Sequence, residues 1–169
     1  MKSFIKSFVC LIFLLYGLNI SAQKFAHINS QELLMSMPES DSAQAKIEKL
    51  ATNYEDQLEE MQVELNKKYD DYLKNREKYT ELIRQTKESE IADLQDRIQQ
   101  FESIATQELQ TERNKLLQPI IEKANKAIKS VAEEQNIMYV FDVSQGNPIY
   151  FSDQSVDILP LVRKKLGLE

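Results

Sequence analysis

The fold is decided by a long charged segment whose first half contains IEKLATNYEDQLEEMQVELNKKYDDY at residues 47–72. Its apolar side chains recur every three or four residues, which is typical of one face of an α-helix. They are Ile47, Leu50, Tyr54, Leu58, Met61, Leu65, Tyr69 and Tyr72. Downstream, two rows repeat every eleven residues: Leu94, Ala105, Leu116 and Ala127, and Ile98, Leu109, Ile120 and Val131. A period of eleven residues keeps an apolar stripe nearly straight along a helix, so the segment predicts two stiff helical rods.

Residues 41–134 contain no glycine and a single proline, Pro119. Each apolar stripe is too narrow to be stable alone in water, because charged side chains occupy the other faces of the helix. An antiparallel hairpin gives each stripe a partner within the same chain. We predict the reversal within residues 80–91, where the first register ends. The alternative is one unbroken rod of about 140 Å, at 1.5 Å per residue.

The segments on either side of the hairpin predict short strands and short helices. Lys24–Asn29 predicts one strand, and Ile137–Val143, which is dense in β-branched and aromatic residues, predicts another. The turn signal Gln145–Pro148 leads to a third strand, Ile149–Phe151, so the last two strands are expected to form a β-hairpin. The predicted caps are Ser30 for a short helix over 31–36, Ser40 or Asp41 for the first rod, and Ser155 or Asp157 for a final helix through Leu166 that stops at Gly167.

So small a body has little core of its own, and its strand edges are open. It closes most simply by pairing with copies of itself. The predicted fold is therefore α+β and predominantly α, with a long antiparallel helical hairpin projecting from a small three-stranded body that forms a homo-oligomer. The residues expected to build the oligomer contact are Phe25, Ile28, Val140, Phe141, Ile149 and Phe151.

The N-terminus predicts a secretory signal. Lys2 and Lys6 precede an apolar run over 8–18, which is too short to span a bilayer and leads to a small-residue cleavage site at Ala22. A retained anchor is the alternative. Cleavage removes Cys10 and leaves 19 basic against 27 acidic residues, a formal charge of −8. The expected division is a signal peptide at 1–22, a body formed by 23–40 and 135–169, and an arm over 41–134.

Composition argues against catalysis and cofactors. The exported chain keeps two isolated glycines, Gly146 and Gly167, so it lacks a phosphate-binding loop and ATP use is not expected. His27 is the only histidine, and no nucleophile and base accompany it. Adjacent carboxylates such as Glu59 and Glu60 point to different sides of a helix, so no metal site is expected. The charge of −8 opposes nucleic-acid binding. We therefore predict neither an enzyme nor a cofactor.

Four stretches of this chain resemble the Skp family of periplasmic chaperones, also called the outer membrane protein H-like family. They are KFAHINSQELLMSMPE (24–39), the charged hairpin, NIMYVFDVSQGNPIYFS (136–152) and VDILPLVRKKLG (156–167). The resemblance covers the whole mature chain. It implies a trimer whose bodies share a β-barrel and whose arms enclose a cavity. It also implies ATP-independent holding of unfolded outer-membrane β-barrel proteins in the periplasm.

Familiar members of that family are strongly basic, whereas this chain is acidic with an uneven distribution of charge. Residues 66–87 carry seven basic and four acidic side chains, and residues 88–112 carry seven acidic side chains and only Arg97. The tip is either an ordinary solvated face or a basic site that steers a client or an anionic membrane surface. The candidate basic residues are Lys74, Arg76, Lys78, Arg84 and Lys87.

Apolar and aromatic residues near the tip are candidates for contact with clients. They are Tyr69, Tyr72, Tyr79, Leu82, Ile83 and Ile91. Each either packs in the seam between the rods or offers a soft surface to an unfolded chain. Many weak contacts in one cavity hold a client through their number, and release needs only a competing sink such as membrane insertion. The alternative function is an exported coiled-coil scaffold or spacer of the cell envelope.

Overall fold

The computed structural model describes residues 24–146 and 148–168. The predicted signal peptide at 1–22 lies outside this part of the chain. The elements in order are β1 (Lys24–Ile28), α1 (Ser30–Met35), α2 (Pro38–Asn75), α3 (Glu81–Glu134), β2 (Ile137–Asp142), β3 (Val156–Asp157) and α4 (Leu159–Leu166). Within the described residues, no helix is both long and apolar enough to cross a bilayer.

The arm is an antiparallel pair formed by α2, of 38 residues, and α3, of 54 residues. A single 3₁₀ turn, Arg76–Lys78, separates them. The side-chain oxygen of Thr80 then accepts a hydrogen bond from the backbone N–H of Ile83 and caps α3. The chain therefore reverses over residues 76–80, N-terminal to the predicted window 80–91, and every residue of that window except Thr80 belongs to α3. The structure excludes the single unbroken rod.

The seam of the arm follows the apolar periodicity. The downstream rows are buried at six positions, Leu94, Ile98, Ala105, Ile120, Ala127 and Val131. The upstream stripe is partly covered from Ile47 to Tyr72, except that half of the Tyr69 side chain is exposed. Tyr54 packs edge-on against Phe101, with 5.9 Å between the ring centroids. The two stripes thus cover each other, which keeps the long helices stable in water.

The body contains a three-stranded sheet in the order β2-β1-β3, and both outer strands run parallel to β1. Parallel neighbours need a long crossover connection, and the whole helical arm is the crossover between β1 and β2. Ala26 and Ile28 of β1 face inward and are fully covered. They join a core with the base of α3 and with α4, which includes Ala124, Ala127, Ile158, Leu159 and Val162.

The predicted β-hairpin between 137–143 and 149–151 is wrong. The turn forms, because the N–H of Gly146 donates to the carbonyl of Val143 and Gly146 has a φ of +77°. The chain then crosses to the far side of β1, where β3 pairs, and Ile149–Phe151 forms no strand. Phe151 instead stacks on His27, with the ring centroids 4.2 Å apart. A local turn signal specifies the turn and not which neighbour the next segment will meet.

Two predicted helix starts also differ from the structure. Asn29 rather than Ser30 caps α1, since the Asn29 side chain accepts from the N–H of Glu32 at 3.0 Å. Helix α2 begins at Pro38, before either predicted cap, because proline already has a helical φ and lacks the N–H that a cap would satisfy. At α4, the Asp157 side chain accepts from the N–H of Leu159 at 2.9 Å, and Gly167 ends the helix in the left-handed conformation.

Candidate interaction surfaces

The outer face of the sheet carries an aromatic cluster formed by Phe25, Tyr139 and Phe141. Their ring centroids lie 6.1 to 6.4 Å apart, and each side chain is between 40% and 57% exposed. The register of the parallel strands explains the cluster, because Phe25 lies beside Tyr139 and His27 lies beside Phe141. Three neighbouring aromatic rings left open to water are typical of a surface that another protein covers.

The crossover segment between β2 and β3 extends this aromatic face. Its Phe151 covers His27, whose Nδ1 lies 2.9 Å from the hydroxyl oxygen of Ser155. His27 is thus held by a ring and a hydroxyl, as a structural histidine would be. Tyr150 and Ile149 project further, and 98% of Ile149 is exposed. A groove runs beside the cluster and is lined by Lys24, Phe25, Phe141, Pro148, Tyr150, Phe151 and Val156.

The structure divides the residues predicted for the oligomer contact between two sides of the sheet. Ile28 is 2% exposed and Val140 packs against the core, so both serve the body itself. Phe25, Phe141 and Phe151 lie on the open aromatic side. Tyr139 lies on the same open side but was not among the residues predicted for the oligomer contact, although strand alternation places it on the same face as Phe141.

Two of the candidate tyrosines at the tip are tied to the arm. The Tyr72 hydroxyl donates to the carboxylate of Glu88 on the opposite helix, and this bond, together with burial, raises the pKa of Tyr72. The Tyr79 hydroxyl donates to Asp71 at 3.0 Å, and burial followed by this bond raises the pKa of Tyr79. Both side chains therefore have a structural partner.

The other candidates at the tip differ in exposure. Leu82 is 75% exposed, Tyr69 50% and Ile83 43%, whereas Ile91 is buried in the seam. Leu73, which the sequence patterns did not single out, is 47% exposed. The open apolar surface of the tip therefore consists of Tyr69, Leu73, Leu82 and Ile83, and the tyrosines bound to carboxylates support it.

The basic residues of the tip are only partly neutralised. Arg84 lies 3.1 Å from Glu81, Lys87 lies 3.5 Å from Glu90, and Arg76 contacts Glu77 at 3.7 Å. Lys74 and Lys78 have no ion-pair partner in the described part of the chain, although Lys78 donates to the Asn75 side chain. Two ammonium groups thus stay available near the apolar tip. No group of three or more metal-ligating side chains comes together in 24–146 and 148–168.

The fold and these surfaces define a protein with two candidate interaction surfaces, namely the open aromatic face of a small body and the apolar tip of a long two-helix arm. Comparison with known families agrees, since the family model for outer membrane protein (OmpH-like) matches residues 24–166. The chain belongs to this OmpH-like family. No curated protein matches it.

A solved structure supports the fold. It is an OmpH-like protein from Caulobacter crescentus CB15, described as a candidate outer membrane chaperone. The two structures superpose with a TM-score of 0.71 over 88% of this chain and 85% of that one, at 12% sequence identity. At this identity the comparison concerns the fold alone, and it shows that the arm and body architecture recurs in a protein of very different sequence.

Proposed function

We propose that this chain is an ATP-independent holdase chaperone of the periplasm, which binds unfolded outer-membrane proteins between the arms of a homo-oligomer and prevents their aggregation. Membership of the OmpH-like family and the chaperone description of the Caulobacter protein support this class of function. The predicted signal peptide at 1–22 supports export to the periplasm.

The exposed aromatic cluster of Phe25, Tyr139 and Phe141 carries the proposal. Copies that meet through this face bury the apolar surface of the body and leave every arm free. Symmetry then places the arms around a common space. Helix α3 is about 80 Å long at 1.5 Å per residue. An arm of this length is more than a simple oligomerisation module needs, but it suits a cavity that takes up a whole unfolded chain.

The open apolar tip of Tyr69, Leu73, Leu82 and Ile83 provides weak contacts to a client. An unfolded outer-membrane strand alternates apolar and polar residues and cannot bury its apolar side before it reaches the membrane. Many contacts of about 0.5–1 kcal/mol each hold such a chain through avidity. Release then requires only a stronger sink, such as insertion into the bilayer, and no nucleotide.

The free ammonium groups of Lys74 and Lys78 support a second role for the tip. Positive side chains beside exposed leucines are attracted to the anionic surface of a membrane. Arms that end near the lipid would deliver the client where it folds. Vesicle flotation with and without anionic lipid, using Lys74→Gln with Lys78→Gln as the variant, tests this role. Equal flotation of the native protein and the variant would contradict a membrane role of these two lysines.

The holding activity is tested by diluting a urea-denatured outer-membrane protein into buffer with and without the mature chain, residues 23–169, and recording turbidity. Stoichiometric oligomer should suppress aggregation. Leu82→Ser with Ile83→Ser should weaken the suppression, while Met35→Ser on α1 should not, although Met35 is 71% exposed. Unchanged turbidity with the native chain would contradict a holdase and favour the scaffold, which binds folded envelope proteins instead.

A further inference from the structure

We infer that the middle of the arm is a docking surface for unfolded segments rich in lysine and arginine, so that this holdase prefers cationic stretches of its clients. The inference rests on the proposed holding function and specifies its client class. It concerns a surface distinct from the basic tip, about halfway along the helix pair, where a groove with apolar side chains has an acidic rim.

The mid-arm groove lies between α2 and α3. Met61 and Phe101 line it and are partly covered, and Ile104, which also lines it, is 61% exposed. These side chains are more exposed than those of the neighbouring seam, where Ile98 and Ala105 are buried. The complete lining is Gln57, Glu60, Met61, Glu64, Arg97, Gln100, Phe101 and Ile104.

A second depression on the outer side of α2 continues this surface, since Glu60 and Glu64 line both. Val63, 43% exposed, is its apolar centre. The surrounding side chains are Asp56, Glu59, Glu60, Glu64 and Lys67. Exposed apolar positions are thus spread across both depressions with carboxylates between them, a pattern suited to a chain that alternates apolar and cationic residues.

The charge of this region is one-sided. Residues 51–67 carry five acidic side chains and only Lys67, and residues 92–112 carry five acidic side chains and only Arg97. The contact of Tyr54 with Phe101, and the groove that Met61 lines together with Ile104, show that these two stretches lie side by side. Ten negative charges against two positive charges produce a formal −8, which attracts a cationic occupant.

The carboxylates of this rim are available. Asp56, Glu59 and Glu60 have no cation within ion-pair distance among the residues that the structure describes, and Glu64 has only Lys68 at 3.8 Å. Elsewhere on the arm, carboxylates have closer partners, as Glu81 does with Arg84 at 3.1 Å. A lysine or arginine of an extended segment would therefore meet unpaired charge, while its apolar neighbours would contact Val63 and Ile104.

The test uses two labelled, unstructured peptides of equal length and equal apolar content, with lysine in one and glutamate in the other at the same polar positions. Fluorescence anisotropy measures their binding to the whole mature chain. The lysine peptide should bind about tenfold more tightly at about 50 mM salt. The ratio should shrink to about twofold at about 500 mM salt, where screening is short-ranged.

Variants test whether the preference for the lysine peptide arises from the mid-arm surface. Asp56→Asn with Glu59→Gln and Glu60→Gln should lower affinity for the lysine peptide about fivefold without lowering that for the glutamate peptide. The matched control neutralises three exposed carboxylates elsewhere, Glu48→Gln, Glu122→Gln and Asp153→Asn, and should preserve the preference. Ile104→Ser should weaken both peptides equally.

Each other outcome overturns the inference. Equal binding of the two peptides with aggregation still suppressed removes the charge preference and leaves the holdase intact. If the control variant loses as much affinity for the lysine peptide as the mid-arm variant does, the preference arises from the net charge of the protein and not from this surface. A mid-arm variant that changes oligomer mass but no peptide affinity makes the surface a contact between copies. Failure to bind either peptide together with unsuppressed aggregation removes the holdase itself.

Discussion

The Tyr72 hydroxyl donates a hydrogen bond to the carboxylate of Glu88, joining α2 to α3 one turn before the arm reverses. A tyrosine in the apolar stripe thus has its ring in the seam and its hydroxyl on the opposite helix. This hydrogen bond holds the ends of the two helices together at the tip of the arm, next to the exposed apolar side chains.

Replacing Tyr72 by phenylalanine should loosen the tip and leave client binding unchanged. The variant keeps the ring and loses the bond to Glu88, so the two helices are joined less firmly at this point. Amide hydrogen exchange should quicken around Arg76–Lys78 and not at the base of the arm. A matched change, Tyr69→Phe, should leave exchange unaltered, because no hydrogen bond of the Tyr69 hydroxyl occurs in the described structure. Faster exchange throughout the protein would contradict a local fastening role.

Leu94 tests the seam of the arm. It is 3% exposed, so Leu94→Ala should lower the free energy of unfolding by about 3 kcal/mol, since truncation leaves a cavity between the two helices. Urea unfolding followed by circular dichroism measures the change. Leu82→Ala is the control, because Leu82 is 75% exposed and should cost less than about 0.5 kcal/mol. Similar costs for both leucines would mean that the stripe is not the stabilising contact.

Phe141 tests assembly through the body. Phe141→Ser should lower the oligomer mass in sedimentation velocity, because it removes one ring of the exposed aromatic cluster. Tyr69→Ser is the control, since Tyr69 has similar exposure but lies on the arm and should leave the mass unchanged. An unaltered mass in Phe141→Ser, or a monomeric native protein, would contradict assembly through this face.

Asp142 should make the body sensitive to acid. Burial raises the pKa of Asp142, but hydrogen bonds from the Ser30 hydroxyl, from the Ser144 N–H and from the Ser30 N–H outweigh it, and the net pKa lies below the ordinary 3.8. A carboxyl with a lowered pKa in the folded state stabilises the fold fully above its unfolded pKa. That stabilisation is lost as the pH falls through the folded value.

The expected result is that Asp142→Asn lowers stability by about 1 kcal/mol at neutral pH and that the difference from the native protein shrinks below about pH 3. Thermal melts across this range measure it. Ser30→Ala removes the hydroxyl donor, so its cost and that of Asp142→Asn should not add in the double variant. Additive costs, or a difference that grows with acid, would show that the Ser30–Asp142 contact is not the source.

Much of the arm is predictable because helical periodicity is a local property. The rows through Leu94 and Ile98 identify buried positions from their spacing alone, since every third or fourth residue of a helix must face the same way. The position of the reversal is less predictable. Thr80 caps α3 without a glycine or proline to mark it, and only the change of register points to the region.

The interaction surfaces are only partly predictable. Phe25 and Phe141 can be recognised as apolar strand residues. Their apolar character alone does not distinguish them from Ile28 and Val140, which face the core. Strand alternation does distinguish them, and it also indicates Tyr139. At the tip, Ile91 resembles Leu82 in sequence, yet one is buried and the other open, because exposure depends on where the partner helix passes.

By itself, the sequence determined the two long helical segments and the strand character of β1 and β2, because each arises from contacts among residues close together in the chain. Only the tertiary structure decided the parallel order β2-β1-β3, the crossover that places Phe151 on His27, and the open aromatic face. These features depend on pairing between segments more than a hundred residues apart. Such pairing is chosen by the competition of all segments for one sheet, which no local pattern records.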